Sequence, residues 1–355
     1  MRITVIGGGN IGTLMAAEIS CKGHEVTVYT SKPQLWKNRI EVYDGADNLI
    51  LLSDDIKITS SYKDALSDAE VIFITLPSHL LQRAAEEILP HVSAGQKIGI
   101  IPGGGGAEFS FGNIIKRGAE LFCFLRVHCI ARLKEYGKSV CALGRKKNIE
   151  IASIPARNSK EICKTISSFF DLPCKAMPNY LCSTMTPSNN ILHTARLYTM
   201  FSDYYAGKVY PENYLFYEGW TDEASAVLFE LDKERKAVCD ALPADLSLVK
   251  SIDEHYESFT PEAMTKKIRG IPAFKGILTP MIKGEEGYTP DFQSRYFAAD
   301  FSYGIKIFKE LAEVFGVATP AIDEVLSWYM KVSGVEEKDM FKLRMSKEQI
   351  ATIYA

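Results

Sequence analysis

The sequence has no apolar run long enough to cross a membrane and no charged leader followed by a short apolar core. Membrane association is therefore not expected, and a cytoplasmic protein is. It has no C-x-x-C pair. Its eight cysteines are scattered from Cys21 to Cys239, which argues against zinc or redox motifs and for reduced packing residues. The six histidines lack metal-ligand spacing, so no metal is expected. There is no long basic run, and the net charge is −3. Nothing therefore points to a nucleic acid partner. Internal repeats and low-complexity segments are absent as well. What remains is a globular composition, 46% hydrophobic and 24% charged, over 355 residues, a length that suits two domains.

The organising stretch is residues 1–29. A β-rich run, Arg2-Ile3-Thr4-Val5-Ile6, leads into Gly7-Gly8-Gly9-Asn10-Ile11-Gly12. A helix-periodic run and a second β-rich run, Glu25 to Tyr29, follow. Strand, glycine turn, helix and strand within about 30 residues is the setting that makes Gly-x-Gly-x-x-Gly a dinucleotide-binding motif. Gly7 permits the tight turn. Gly9 lets a pyrophosphate approach the backbone, and Gly12 lets the helix pack close to the strand. Asn10 and Ile11 open the helix, whose free N–H groups suit phosphates. At the end of the second strand an acid would accept the ribose hydroxyls of NAD. Here Thr30-Ser31-Lys32 stands instead, which favours NADP(H) while still admitting NAD(H).

The alternation continues. The pattern predicts strands over 55–59, 69–76, 97–101, 121–127, 139–143 and 149–154, a helix over 156–170, and an edge strand over 174–177. Pro77 stops the strand over 69–76, and Ser78 is a candidate cap for a helix reaching Leu89. Leu76 and Pro77, at that strand's end, are expected beside the cofactor. The run Gly103-Gly104-Gly105-Gly106 implies close backbone approach to a ligand or a hinge. A doubly wound α/β Rossmann domain over 1–180 is the result. From 181 to 355 the chain reads as an all-α domain, with helices over 189–204, 221–241, 247–255, 261–267, 295–315, 320–332 and 346–354. Residues 270–290 form a long loop. Long helices suit packing across a two-fold axis, so a homodimer is weighed against a monomer.

A Rossmann domain followed by a helical one places substrate in a cleft between them. Two clusters in the second half carry polar residues at helical spacing. One is Thr186-Pro187-Ser188-Asn189-Asn190-Ile191-Leu192-His193-Thr194-Ala195-Arg196, in which Asn189, His193 and Arg196 can share a face. The other is Arg295-Tyr296-Phe297-Ala298-Ala299-Asp300, followed by Tyr303-Gly304.

With these clusters and its glycine fingerprint, the chain resembles the opine dehydrogenases of the octopine/nopaline type over nearly its whole length. The stretch Gly316-Val317-Ala318-Thr319-Pro320 is similar to that family's helical domain. Departures are Asn190 and Thr194, where the family often has proline, and Ala299, where it usually has glutamate. The resemblance implies reductive condensation of an amino acid with a 2-oxo acid through an imine. It also implies a catalytic pair at His193 and Asp300.

Physical chemistry accommodates those roles. A histidine suits proton transfer near neutral pH, and a buried aspartate on its other nitrogen would fix the tautomer. An arginine can grip a substrate carboxylate with two parallel hydrogen bonds. Arg295 is the first candidate and Arg196 the second. Asn189 could hold substrate or the nicotinamide carboxamide. The alternative function is an NADPH-dependent 2-oxo acid reductase of the ketopantoate reductase type. Such enzymes commonly use a lysine as proton donor.

Overall fold

The computed structural model describes residues 1–187 and 189–354. The chain divides into two compact units. One is Met1–Thr184, rejoined by the last residues from Ile353 on; the other is Met185–Thr352.

In the first unit the strands, among the described residues, are β1 (Arg2–Ile6), β2 (Glu25–Tyr29), β3 (Ile40–Tyr43), β4 (Leu49–Ser53), β5 (Lys57–Thr59), β6 (Val71–Ile74), β7 (Lys97–Ile100), β8 (Glu120–Phe124), β9 (Cys129–Glu135), β10 (Ser139–Arg145), β11 (Ile149–Ile154) and β12 (Cys174–Ala176). Eight of them pair in the order β12-β11-β8-β7-β6-β1-β2-β5. Pairing is parallel from β5 across to β8, while β11 runs antiparallel to β8. Central parallel strands are covered on both faces, which is why Val71-Ile72-Phe73-Ile74 is apolar without alternation and fully buried. The order reverses beside β1, where open sheets of this kind bind ligands at their carboxyl ends.

The core is aromatic. Phe73 meets Phe122, Phe124, Phe169 and Phe170 at centroid distances of 5.9–6.4 Å, edge to face. Each such ring, buried, contributes about 1.5–3 kcal/mol, so this cluster fastens the helix Ser159–Phe170 to the sheet.

Residues 139–143 were expected to add a strand to the main sheet. Instead β10 joins β9, β3 and β4 in a separate four-stranded sheet, β4-β3-β10-β9. The reason is local. β9 and β10 are joined by a tight turn at Gly137, closed by Lys138 N–H donating to the Glu135 carbonyl at 3.1 Å, and strands so joined pair with each other. The Ser78 cap is also absent. A 3₁₀ turn, Ser78–Leu80, precedes the helix Leu81–Ile88, and neither start has a side-chain cap. In the glycine run, the close approach at Gly103 is to the Cys123 and Ser183 side chains. The run leads into the short helix Ala107–Ser110.

The second unit is built around the helix Asp222–Ala241. Thr221 caps it by accepting from the Ala224 N–H at 3.2 Å. It packs against the helices Asn189–Phe201, Pro261–Arg269, Lys306–Phe315 and Pro320–Ser333. Its Arg235 is fully buried beside Asp232 at 2.7 Å and donates to the carbonyls of Met185 and Lys250. The helix expected over 295–315 is broken. It forms as Arg295–Ala298, a π-helical turn Phe301–Ile305, and Lys306–Phe315. Close packing goes with the break, since a Cβ on Gly304 would lie 2.6 Å from the Asn190 Cβ. The helix over 247–255 shrinks to Ile252–Tyr256, opened by a Ser251/Glu254 capping box. The 270–290 loop holds a small hairpin, β13 (Met281–Lys283) with β14 (Tyr288–Pro290), the exception in an otherwise helical unit. Among the described residues, no helix is long and apolar enough to cross a membrane.

Candidate active site

In the first unit the glycine turn is shaped by contacts that tolerate no side chain. Gly7 has φ +115°, and a Cβ there would lie 2.7 Å from the Thr75 hydroxyl and 3.3 Å from Leu76. A Cβ on Gly12 would overlap the Gly7 carbonyl. At Gly9 the space is open, with nothing within 4 Å. Gly9 is also the N-cap residue of the helix Asn10–Ser20 and brings no side-chain cap, so the first N–H groups stay available. The Asn10 side chain ties this helix start to β9 by accepting from the Leu133 N–H at 2.8 Å.

Over Gly8 lie Trp36 and Tyr136. A Cβ on Gly8 would sit 3.0 Å from the Trp36 Nε1 and 2.9 Å from the Tyr136 hydroxyl. Trp36 is buried, yet its Nε1 has no partner among the described residues. A buried orphan donor costs about 1–3 kcal/mol, so it marks a place where a ligand acceptor fits. Thr30 is buried, with its hydroxyl 2.8 Å from that of Tyr136, and it also accepts from the Lys32 N–H. Ser31 and Lys32 are exposed, and Lys32 has no ion-pair partner among the described residues. Leu76 packs against the turn; Pro77 is exposed beside it. An open approach at Gly9, free helix N–H groups and an orphan indole donor fit the phosphates and ribose of a dinucleotide.

In the second unit the helix Asn189–Phe201 buries His193 to 2% exposure. Its Nδ1 lies 2.7 Å from Asp300 Oδ2, and its Nε2 lies 2.8 Å from the Tyr217 hydroxyl. Tyr296 stacks on the ring at 4.2 Å. A carboxylate only accepts, so Asp300 keeps a hydrogen on Nδ1 and leaves the Nε2 lone pair for the phenol. Burial, then the neighbouring Tyr296, Tyr256 and Asp300, push the Tyr217 phenol far above its ordinary range, while Arg295 partly offsets this.

The two arginines differ. Arg295 is exposed, lies 5.5 Å from the Tyr296 ring centroid, and has no ion-pair partner among the described residues. Its guanidinium is free for a carboxylate. Arg196 is buried, and its guanidinium is engaged, donating to the Phe216 carbonyl at 3.2 Å and the Gly219 carbonyl at 2.5 Å. Burial, then Arg269, lower its pKa to about 10, so it stays cationic at neutral pH. Asn189 is exposed at the first position of its helix. Ser188, in the same sequence cluster, lies outside the described residues.

A family signal lies in the helical unit. Residues 176–333 match the model described as NAD/NADP octopine/nopaline dehydrogenase, alpha-helical domain. The comparisons support the opine dehydrogenase family for this chain, which is similar to its members over nearly the whole length. It is a nicotinamide-dependent oxidoreductase acting on a CH–NH bond. Residues 2–104 match the NAD-dependent glycerol-3-phosphate dehydrogenase N-terminus. Tauropine dehydrogenase of Arabella iricolor is 26% identical over 94% of this chain and 92% of its own. Octopine dehydrogenase of Pecten maximus is 26% identical over 95% and 91%. The structure of an octopine dehydrogenase with NADH and L-arginine shares the fold at a TM-score of 0.81, with 23% identity over 99% of this chain and 96% of that one.

Within this opine dehydrogenase frame, three residues had no signal of their own in the sequence. Trp36 and Tyr136 lie 100 positions apart and meet only because β9 and β10 fold over the glycine turn. Tyr217 sits in an aromatic run, Tyr214-Leu215-Phe216-Tyr217, with no periodicity to single it out. His128, by contrast, lies within the first unit's core, fully buried, with Nε2 2.6 Å from Glu18.

Proposed function

We propose that this chain is an opine dehydrogenase that prefers NADP(H) and joins the amine of an amino acid to a 2-oxo acid through an imine. The observation that carries this reading is the buried His193 held 2.7 Å from the partly buried Asp300, with the unpaired Arg295 beside the ring stacked on it. When bound, the cofactor supplies hydride to the imine carbon. Asp300 orients His193 and stabilises its charged form. His193 is the base that holds the proton lost by the ammonium group of the amino acid, freeing the amine to attack the carbonyl. It then returns that proton to the oxygen that leaves as water. Arg295 holds the oxo acid's carboxylate by charge-assisted hydrogen bonds. Preference for the 2′-phosphate is supported by the absence of an acid after β2 and by the unpaired Lys32.

A lysine-dependent 2-oxo acid reductase is the competing reading. The buried Lys306 does not suit it. Burial alone would lower its pKa, but hydrogen bonds to Glu310 and Glu337 outweigh burial and hold it above the ordinary lysine value. The test is NADPH and NADH oxidation with 2-oxo acids, with and without amino acids. Oxidation that needs the amino acid and yields a secondary amine is expected. Oxidation with the oxo acid alone would replace this reading with the reductase. His193→Ala is expected to lower turnover by roughly 10²–10⁴ with cofactor binding retained.

A further inference from the structure

The vertex of His193 that must exchange protons is already occupied. Nδ1 is committed to Asp300, so proton transfer falls to Nε2, and Tyr217 Oη lies 2.8 Å from it. Tyr217 is no loose side chain. It is 4% exposed, stacks on Phe274 at 3.9 Å with the planes 14° apart, and meets Phe216 edge-on at 4.8 Å. Its backbone is fixed on both sides. Phe216 N–H donates to the Ile277 carbonyl at 2.8 Å, Trp220 N–H donates to the Tyr217 carbonyl at 3.1 Å, and Arg196 holds the flanking carbonyls. A substrate oxygen cannot reach Nε2 unless this ring leaves its stack.

We propose that Tyr217 does not leave but is itself the group that touches the substrate, relaying protons between His193 Nε2 and the reacting nitrogen and oxygen. This rests on the opine dehydrogenase reading above. When the amino acid arrives as an ammonium ion, Tyr217 Oη takes one of its protons. In the same step Oη gives its own hydrogen to Nε2, leaving a neutral amine, a neutral phenol and an imidazolium braced by Asp300. The amine attacks the carbonyl carbon, and an internal shift of hydrogen from nitrogen to oxygen gives a carbinolamine. Tyr217 then donates to the carbinolamine oxygen and recovers a hydrogen from Nε2. The C–O bond breaks, water leaves, the nitrogen lone pair forms the C=N bond, and His193 is neutral again. The proton removed at the start is the one returned, so no outside acid is needed. The phenol gains and loses one hydrogen in each transfer and never ionises, in keeping with surroundings that disfavour a phenolate.

The test is the single-turnover rate of condensation, read as loss of the oxo acid's carbonyl absorbance when enzyme is mixed with both substrates, in mixtures of light and heavy water, which isolates the steps the relay serves. A relay moves two hydrogens together, so the wild-type rate should bow below a straight line as the deuterium fraction rises. Tyr217→Phe keeps the stack and removes only the hydroxyl. It should slow the step by about 10²-fold, leave the KM of the oxo acid within about threefold, leave cofactor binding unchanged, and straighten the deuterium plot. A straight plot for the wild type overturns the relay and needs no variant. So does a Tyr217→Phe enzyme that is slow but keeps the wild-type curvature, or one that turns over at the wild-type rate. Absence of amine-dependent oxidation in the wild type would instead remove the underlying function, so the two failures are distinguishable.

Discussion

Glu108 offers a quantitative check on the packing of the first unit. It lies just past the glycine run, 1% exposed. One carboxyl oxygen accepts from the Thr184 hydroxyl at 2.6 Å and the Tyr354 hydroxyl at 3.1 Å. The other has no partner among the described residues. Burial pushes the carboxyl up from 4.5 to about 7, against the pull of those hydrogen bonds. Between these two values the unfolded chain has released the proton and the folded chain has kept it. Stability from this group is therefore fully present below about pH 4.5, declines as pH rises, and is lost above about pH 7. At about 1.4 kcal/mol per pH unit the total is about 3 kcal/mol. Glu108→Gln removes the titration and keeps the shape. Urea unfolding of both proteins at pH 4.5 and pH 8 cancels the contributions of all other groups. The variant should gain about 3 kcal/mol on the wild type between those two pH values. Parallel pH profiles for the two proteins would refute the burial argument.

Two further outcomes follow from the sites. Arg295→Gln should raise the KM for the 2-oxo acid about 10- to 100-fold, the worth of a charge-assisted carboxylate contact, with cofactor affinity unchanged; initial-rate kinetics at saturating cofactor check this. Lys32→Ala should weaken NADPH binding about tenfold and leave NADH binding within about twofold. Fluorescence titration would read this through Trp36, and equal losses for both cofactors would remove the 2′-phosphate role.

Much of the first unit was legible because its signals are local. The glycine turn sets a short-range geometry, and the parallel strands, buried on both faces, announce themselves as unbroken apolar runs. The second sheet was not legible. Leu49-Ile50-Leu51-Leu52 is an unbroken apolar run, yet Leu49 and Ile50 are exposed, and pairing of β3 with β10 joins segments nearly 100 positions apart. The break near Gly304 depends on a close approach to Asn190 that no periodicity reveals. In the helical unit, His193 and Asp300 came from family resemblance, and their approach to 2.7 Å follows from the tertiary fold. Tyr217 could not be placed, because nothing local distinguishes a phenol that meets an imidazole from one that fills a core.

Arg196 bears on how an alanine scan of this enzyme would read. Its position one helical turn after His193 invites a substrate role, yet its guanidinium fastens the His193 helix to the segment carrying Tyr217. Removing it would loosen both ends of a 2.8 Å contact at once. The resulting loss of turnover would look like the loss of a catalytic group, although no atom of Arg196 need touch a reactant. The helix and the 216–219 segment are thus tied into one mechanical part, so a change in one disturbs the other.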